Sequence, residues 1–166
     1  SNNQLINNNE ITELKQILGL QHGEIYKDAS KLRYGSVMLL VDSDVDGHHI
    51  KGLGINFFHY FWKELVDIPG FIKGFYTPII KATKGKNIKT FYTLTDFDNW
   101  KQQNNTQSWK IKYYKGLGTS TASEAKEYFK DIDNHQVIYF SNSVKDTEKY
   151  ITLAFDKKQS DNRKKW

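Results

Sequence analysis

The stretch Gly35 to Gly47, GSVMLLVDSDVDG, constrains the fold of this chain more than any other. A short apolar run bounded by glycine and aspartate suits a β-strand buried on both faces. That run, Gly35 to Val41, leads straight into Asp42, Asp44 and Asp46, and Gly47 then lets the chain turn. Beyond it Ile50, Leu53, Phe57, Phe61 and Leu65 recur at intervals of three and four, which predicts an amphipathic helix of about 18 residues. Strands alternate with helices along the rest of the chain, which places it in the α/β class with a mainly parallel sheet.

Three carboxylates this close in sequence repel one another. At about 5 Å each pair costs roughly 1 kcal/mol in water, and several times that at a half-buried site. A cation relieves the repulsion, and a hard divalent ion with oxygen ligands, Mg²⁺ above all, suits such a cluster. In an extended strand Asp42 and Asp46 would lie roughly 13 Å apart, too far to share an ion pair about 4 Å across. Asp42 and Asp44 are therefore the expected direct ligands, with Asp46 folded back at the helix start in support. Asp-x-Asp-x-Asp-Gly also opens an EF-hand loop, but the twelfth position, which needs a bidentate Glu, is Leu53, and a strand precedes it. A plainer alternative is that Asp44 and Asp46 only favour a helix N-terminus, for which one Asp suffices.

A second chemical feature is KYYKGLGTS, where Lys112 and Lys115 stand beside Gly116 and Gly118 and a helix follows. Basic side chains, exposed backbone N–H groups and a helix dipole favour phosphate. The spacing is not that of a nucleotide P-loop. The alternative is an ordinary glycine turn before a capped helix. His48 and His49 adjoin the acidic turn, and either is placed to support a carboxylate. His59 lies within the long helix as a structural residue, and the four Trp read as core or rim packing.

The remaining pattern gives the organisation. Residues 1–10 read as a frayed lead-in, followed by a helix carrying Ile11, Leu14, Ile17 and Leu18 and stopped by Gly19. FYTPIIKATKG and IKTFYTL form a hairpin about Lys84-Gly85-Lys86-Asn87. TDFDNWKQQ opens with a Thr-x-x-Asp cap, SWKIKYY and QVIYF are strands, and Thr121 to Glu124 is a capping box for a helix from Ala122 to Lys130. Ser143 caps a helix through Phe155, and a basic helical end follows. The chain has 166 residues, 38% of them apolar and 14% aromatic, too many for a disordered tail. It has no cysteine, which excludes a disulfide scaffold and a thiolate metal site. No run approaches the roughly 18 apolar residues of a membrane span, and SNNQLINNNE lacks the features of a secretory signal. The net charge of +5 leans toward polyanionic partners.

Taken together, LRYGSVMLLVDSDVDGHHIKGLGINFFHYFW, FYTPIIK, FYTLTDFDNW, YYKGLGTSTASEAKEYF and LAFDKKQSDNRKKW resemble, in order, the TOPRIM region of type IIA DNA topoisomerases. The resemblance covers residues 11–166 and is closer to the eukaryotic and large-virus enzymes than to bacterial gyrase. It implies a TOPRIM-like, Rossmann-like fold: one domain over 1–166, helices flanking the sheet, and a small hairpin insertion. By that resemblance Asp42 and Asp44 match the metal-binding aspartates, Asp46 the third acidic position and His49 the histidine after Asp-Gly. Lys115, Gly116 and Gly118 match the DNA-contacting loop, with Lys112 beside it. His48 and Gly54 depart from the family's usual small and bulky residues at those places.

The resemblance implies a parent enzyme, a homodimer, that cuts both strands of double-stranded DNA through phosphotyrosyl links, passes a second duplex and reseals the break. It would use Mg²⁺ here and ATP on another domain, in the nucleus or, for a viral enzyme, at the site of viral DNA replication. It would be neither secreted nor membrane-bound. The family's Glu-Gly-Asp-Ser-like motif does not occur, and no tyrosine matches the DNA-attacking one. The chain therefore reads as a fragment or as one piece of a split enzyme, inactive alone. Rival readings are another TOPRIM enzyme (primase or nuclease) and a non-catalytic DNA- or partner-binding module.

Overall fold

Asn8 opens the first helix. Its side-chain oxygen accepts the N–H of Ile11 at 2.9 Å and starts α1 (Asn9–Leu18). Gly19 ends α1 in the left-handed region at φ 77°, where its own N–H and that of Leu20 close onto Gln16 and Lys15. The computed structural model describes residues 8–114, 116–141 and 143–166. Residues 8–10, expected to fray, instead cap and begin α1; residues 1–7 lie outside the described residues.

The chain divides into two compact units. The first comprises Ser1–Met38, Leu53–Lys73 and Ile138–Trp166, the second Leu39–Gly52 and Gly74–Val137. In the first unit the core gathers Leu18, Leu20, Tyr26, Phe58, Trp62, Leu65, Val66, Phe71 and Ile72, all buried. Side chains of this size contribute roughly 2–3 kcal/mol each when fully buried. Phe58 meets Phe71 edge-on at 5.8 Å, and the Trp62 indole N–H donates to Gln21 O at 2.9 Å. The long helix predicted after Gly47 is α2 (Val45–Phe61), and Leu65 falls on a separate short helix, α3 (Lys63–Asp67).

β1 (Val37–Leu39) is shorter than the expected Gly35–Val41 run and only half-buried. It is an outer strand of a three-stranded sheet ordered β1-β2-β6, with β2 (Ile72–Phe75) in the middle and β6 (Gln136–Tyr139) beyond. The Val37 N–H bonds Phe71 O at 2.7 Å, joining the starts of β1 and β2, so these two run parallel. Tyr76 N–H bonds His135 O at 2.7 Å, joining the end of β2 to the start of β6, so this pair is antiparallel. The parallel pairing expected from the sequence is thus confined to β1 and β2. The α/β class stands, as small sheets flanked by helices.

The second unit holds an antiparallel sheet ordered β4-β3-β5, built from β3 (Ile80–Lys84), β4 (Asn87–Phe91) and β5 (Lys110–Tyr113). The run FYTPIIKATKG does not form one strand. It breaks at Pro78, which has no N–H to give a ladder, so β2 ends at Phe75 and β3 begins at Ile80. The hairpin lies where the sequence places it: Lys84 pairs with Asn87, and Gly85 at φ 58° supplies the positive φ of a type II′ turn. Ile80, Ala82 and Phe91 pack with Phe97 and Trp100 of α4 (Leu94–Gln103). The α4 cap is Thr93, two residues before the expected Thr95. The Thr-x-x-Asp pattern occurs twice here, and Thr93, directly after β4, takes Asp96 N–H at 3.1 Å. α5 (Ala122–Lys130), α6 (Val144–Phe155) and α7 (Ser160–Lys165) follow, the first two with the bounds and caps read from sequence.

Candidate metal and nucleic-acid site

The acidic turn bridges β1 and α2, and its residues do three different things. Asp44 accepts the Gly47 N–H on Oδ1 at 2.7 Å, acting as a cap on the first turn of α2. Its carbonyl oxygen takes the backbone N–H of His48 at 3.0 Å and meets that ring's Nδ1 at 2.6 Å. Asp46 is exposed in the first turn of α2, where a carboxylate suits the helix dipole. Asp44 and Asp46 thus both favour the start of α2, and Asp44 caps it through Oδ1 alone.

Asp42 is set apart. A β-carbon on Gly47 would stand 1.8 Å from the Asp42 carbonyl oxygen, so only glycine lets α2 fold back so closely. A β-carbon on Gly116 would stand 2.5 Å from Asp42 Oδ2 and 2.8 Å from Oδ1. The Asp42 carboxylate thus lies directly against the glycine loop, 74 positions along the chain. Ser43 anchors the turn: its hydroxyl donates to Thr77 O at 3.2 Å and lies 3.1 Å from Thr77 Oγ1, with Thr77 buried. Neither Ser43 nor Thr77 stood out in the sequence, because their pairing is purely tertiary.

Among the described residues no group of three or more His or carboxylate side chains is close enough to cage a metal. What the turn offers is an oxygen-only donor set from exposed Asp42 and Asp44. That fits Mg²⁺, which keeps several waters and takes one or two carboxylates plus substrate phosphate. The histidine in contact with the turn is His48. His49 is exposed on α2.

Lys115 lies outside the described residues. After it the chain makes a tight turn, Leu117–Thr119, in which both Thr119 N–H and hydroxyl donate to Gly116 O at 3.1 and 2.6 Å. Gly118 is exposed with open space where a side chain would go. The α5 N-terminus is already filled: Thr121 takes Glu124 N–H at 3.3 Å, and the Glu124 carboxylate takes Thr121 N–H at 2.8 Å. The Glu124 carboxylate seated there shares that helix end with whatever anion approaches it.

Lys112, expected at the DNA backbone, is paired with an acid of its own chain. Its ammonium donates to Glu124 Oε2 at 3.1 Å and Oε1 at 3.4 Å and lies 4.3 Å above the Tyr114 ring. Burial works against the charge of Glu124. Hydrogen bonds from Thr121, Tyr114 and Lys112 outweigh it and hold the pKa lowered to about 2. Burial, then the same Glu124 contact, pushes the Tyr114 phenol well above its usual value. Lys51 on α2 is buried, its ammonium giving a hydrogen bond to Phe75 O at 3.2 Å; burial lowers its pKa. The capping box flagged Glu124 in the sequence, but its lysine partners lie on strands and could not be read.

Residues 75–166 match the family described as the C-terminal associated domain of TOPRIM. The whole chain is 49% identical over 170 residues to DNA topoisomerase 2-beta of Homo sapiens and 48% identical to DNA topoisomerase 2 of Arabidopsis thaliana. It covers 10% and 12% of those relatives, so it spans about a tenth of their length. The crystal structure of the Plasmodium falciparum topoisomerase II DNA-binding, cleavage and re-ligation domain superposes with a TM-score of 0.93 at 45% identity. That match covers 100% of this chain and 23% of the other.

Proposed function

Since the chain belongs to the family of C-terminal associated domains of TOPRIM and is homologous along its length to DNA topoisomerase 2, an isomerase, we propose that it supplies the ion-holding and DNA-backbone-holding part of a type IIA topoisomerase. Residues 1–166 act together as one TOPRIM-type domain of the cleavage and religation core. The observation that carries this is the Asp42 carboxylate seated against Gly116. It joins the acidic turn to the glycine–lysine loop within one unit of the fold.

Asp42 and Asp44 hold the ion, with Asp46 adding negative potential at the start of α2. Bound Mg²⁺ would stabilise charge on the scissile phosphate and the leaving 3′ oxygen. Gly47 and the Ser43–Thr77 contact fix where the Asp42 carboxylate points. Lys115, Gly116 and Gly118 hold the DNA backbone without reading sequence. Lys112, expected beside them from the sequence, is held back from that set by Glu124, which accepts its ammonium at 3.1 Å.

The partners are double-stranded DNA and the remainder of the topoisomerase, which pairs as a homodimer, binds ATP elsewhere and supplies the attacking tyrosine. Alone the chain does not cleave DNA. It works in the nucleus, or where a virus replicates its DNA; no helix among the described residues is long and apolar enough to cross a membrane. Supercoil relaxation by the assembled enzyme tests this. Lys115→Ala should weaken duplex binding alike for all sequences and reduce the salt slope by about one unit. An unchanged slope would place that lysine away from the backbone.

A further inference from the structure

Both ends of the glycine loop converge on a single carboxylate, and we propose that Glu124 is the positioning residue that sets this loop against Asp42 while withholding Lys112 from DNA. The inference rests on the topoisomerase reading above and adds a residue that neither the acidic turn nor the glycine motif contains.

Tyr114, at the leading end of the loop, gives its hydroxyl to Glu124 Oε1. Thr121, at the trailing end, gives Oε2 its N–H at 2.8 Å and its hydroxyl at 3.1 Å. Gly116, which touches Asp42, lies between these two anchors, both held by one side chain that is only 15% exposed. A carboxylate accepts about four hydrogen bonds, and these donors with Lys112 fill that capacity, which fixes its rotamer.

The same carboxylate settles a charge conflict. β3 and β5 pair so that Lys81 stands directly opposite Lys112. Like charges facing across strands are destabilising. Glu124 sits with both, 3.7 Å from Lys81 and 3.1 Å from Lys112, and Glu127 lies 3.9 Å from Lys81. Lys81 is nearly buried, whereas the Lys112 side chain is 43% exposed. Lys112 is thus a surface cation that would be free for phosphate if its acid were gone.

Two effects of opposite sign follow for the assembled topoisomerase carrying Glu124→Gln. Released Lys112 adds a phosphate contact, so the salt dependence of binding to a linear duplex steepens by about one unit of slope. The loop loses its staple, so Mg²⁺-dependent plasmid cleavage falls about 10- to 100-fold, as when a ligand's support is removed. Adding Lys112→Gln returns the slope to the wild-type value without restoring cleavage. A merely structural role for Glu124 lowers binding and cleavage together, and that result, or wild-type behaviour in both, overturns the proposal. Should Glu124→Gln unfold the enzyme, Lys112→Gln alone decides: an unchanged slope supports withholding, and a loss of about one unit overturns it. Asp42→Asn is run alongside. Full cleavage by Asp42→Asn sinks the topoisomerase reading itself, while an inactive Asp42→Asn beside a wild-type Glu124→Gln sinks only the positioning role.

Discussion

Gly116 and Gly118 stand in the same loop under different constraints. A methyl on Gly116 meets the Asp42 carboxylate, whereas one on Gly118 meets nothing within 4 Å. Gly116→Ala should push the Asp42 carboxylate aside and raise the Mg²⁺ concentration needed for half-maximal cleavage about tenfold or more. Gly118→Ala should leave that concentration at the wild-type value; a Mg²⁺ titration of cleavage checks both, and equal effects would argue against the Asp42–Gly116 contact. Glu124 gives a second test at this scale. Its pKa of about 2 lies below the ordinary 4.5, so between those values the unfolded chain binds more protons. The stability Glu124 provides is complete above about pH 4.5 and is lost as pH falls toward about 2. Urea midpoints measured across that window should fall less steeply for Glu124→Gln than for wild type.

At the scale of elements, two glycines carry geometry no other residue can. Gly47→Ala drives a β-carbon into the Asp42 carbonyl and should destabilise the chain by about 3 kcal/mol, read as a drop in urea midpoint. Gly85→Ala forces a side chain into the left-handed region of the hairpin turn and should cost about 1 kcal/mol or more, with the site untouched. Capped helices and the hairpin were legible because their signals are local: Thr121 with Glu124, Ser143 with Asp146, Gly85 between alternating strands. β2 was not, since IKGF carries no alternation and owes its strand state to its place between β1 and β6. The second strand of the sheet, the Thr93 cap and the break at Pro78 all depended on neighbours in space or on a choice between equal local patterns.

For the whole molecule, resemblance along the chain gave the class and the relatives, and the physics of charge gave the acidic turn as the place to look. What neither gave was that Asp42 faces Gly116, because whether a carboxylate meets a loop 74 positions away depends on how distant segments pack. Asp44 caps α2, Asp42 faces Gly116, and the lysine expected on DNA is held by an acid from α5. On the proposed function, the Asp42 carboxylate and the glycine–lysine loop form one ion-holding site beside DNA phosphate. Cleavage of supercoiled plasmid by the assembled enzyme as Mg²⁺ is titrated, wild type against Asp42→Asn, tests it most directly. The expected result is a loss of roughly 100-fold or more at equal Mg²⁺, with duplex binding in the absence of metal preserved; cleavage by Asp42→Asn at the wild-type rate and the wild-type Mg²⁺ requirement would contradict it.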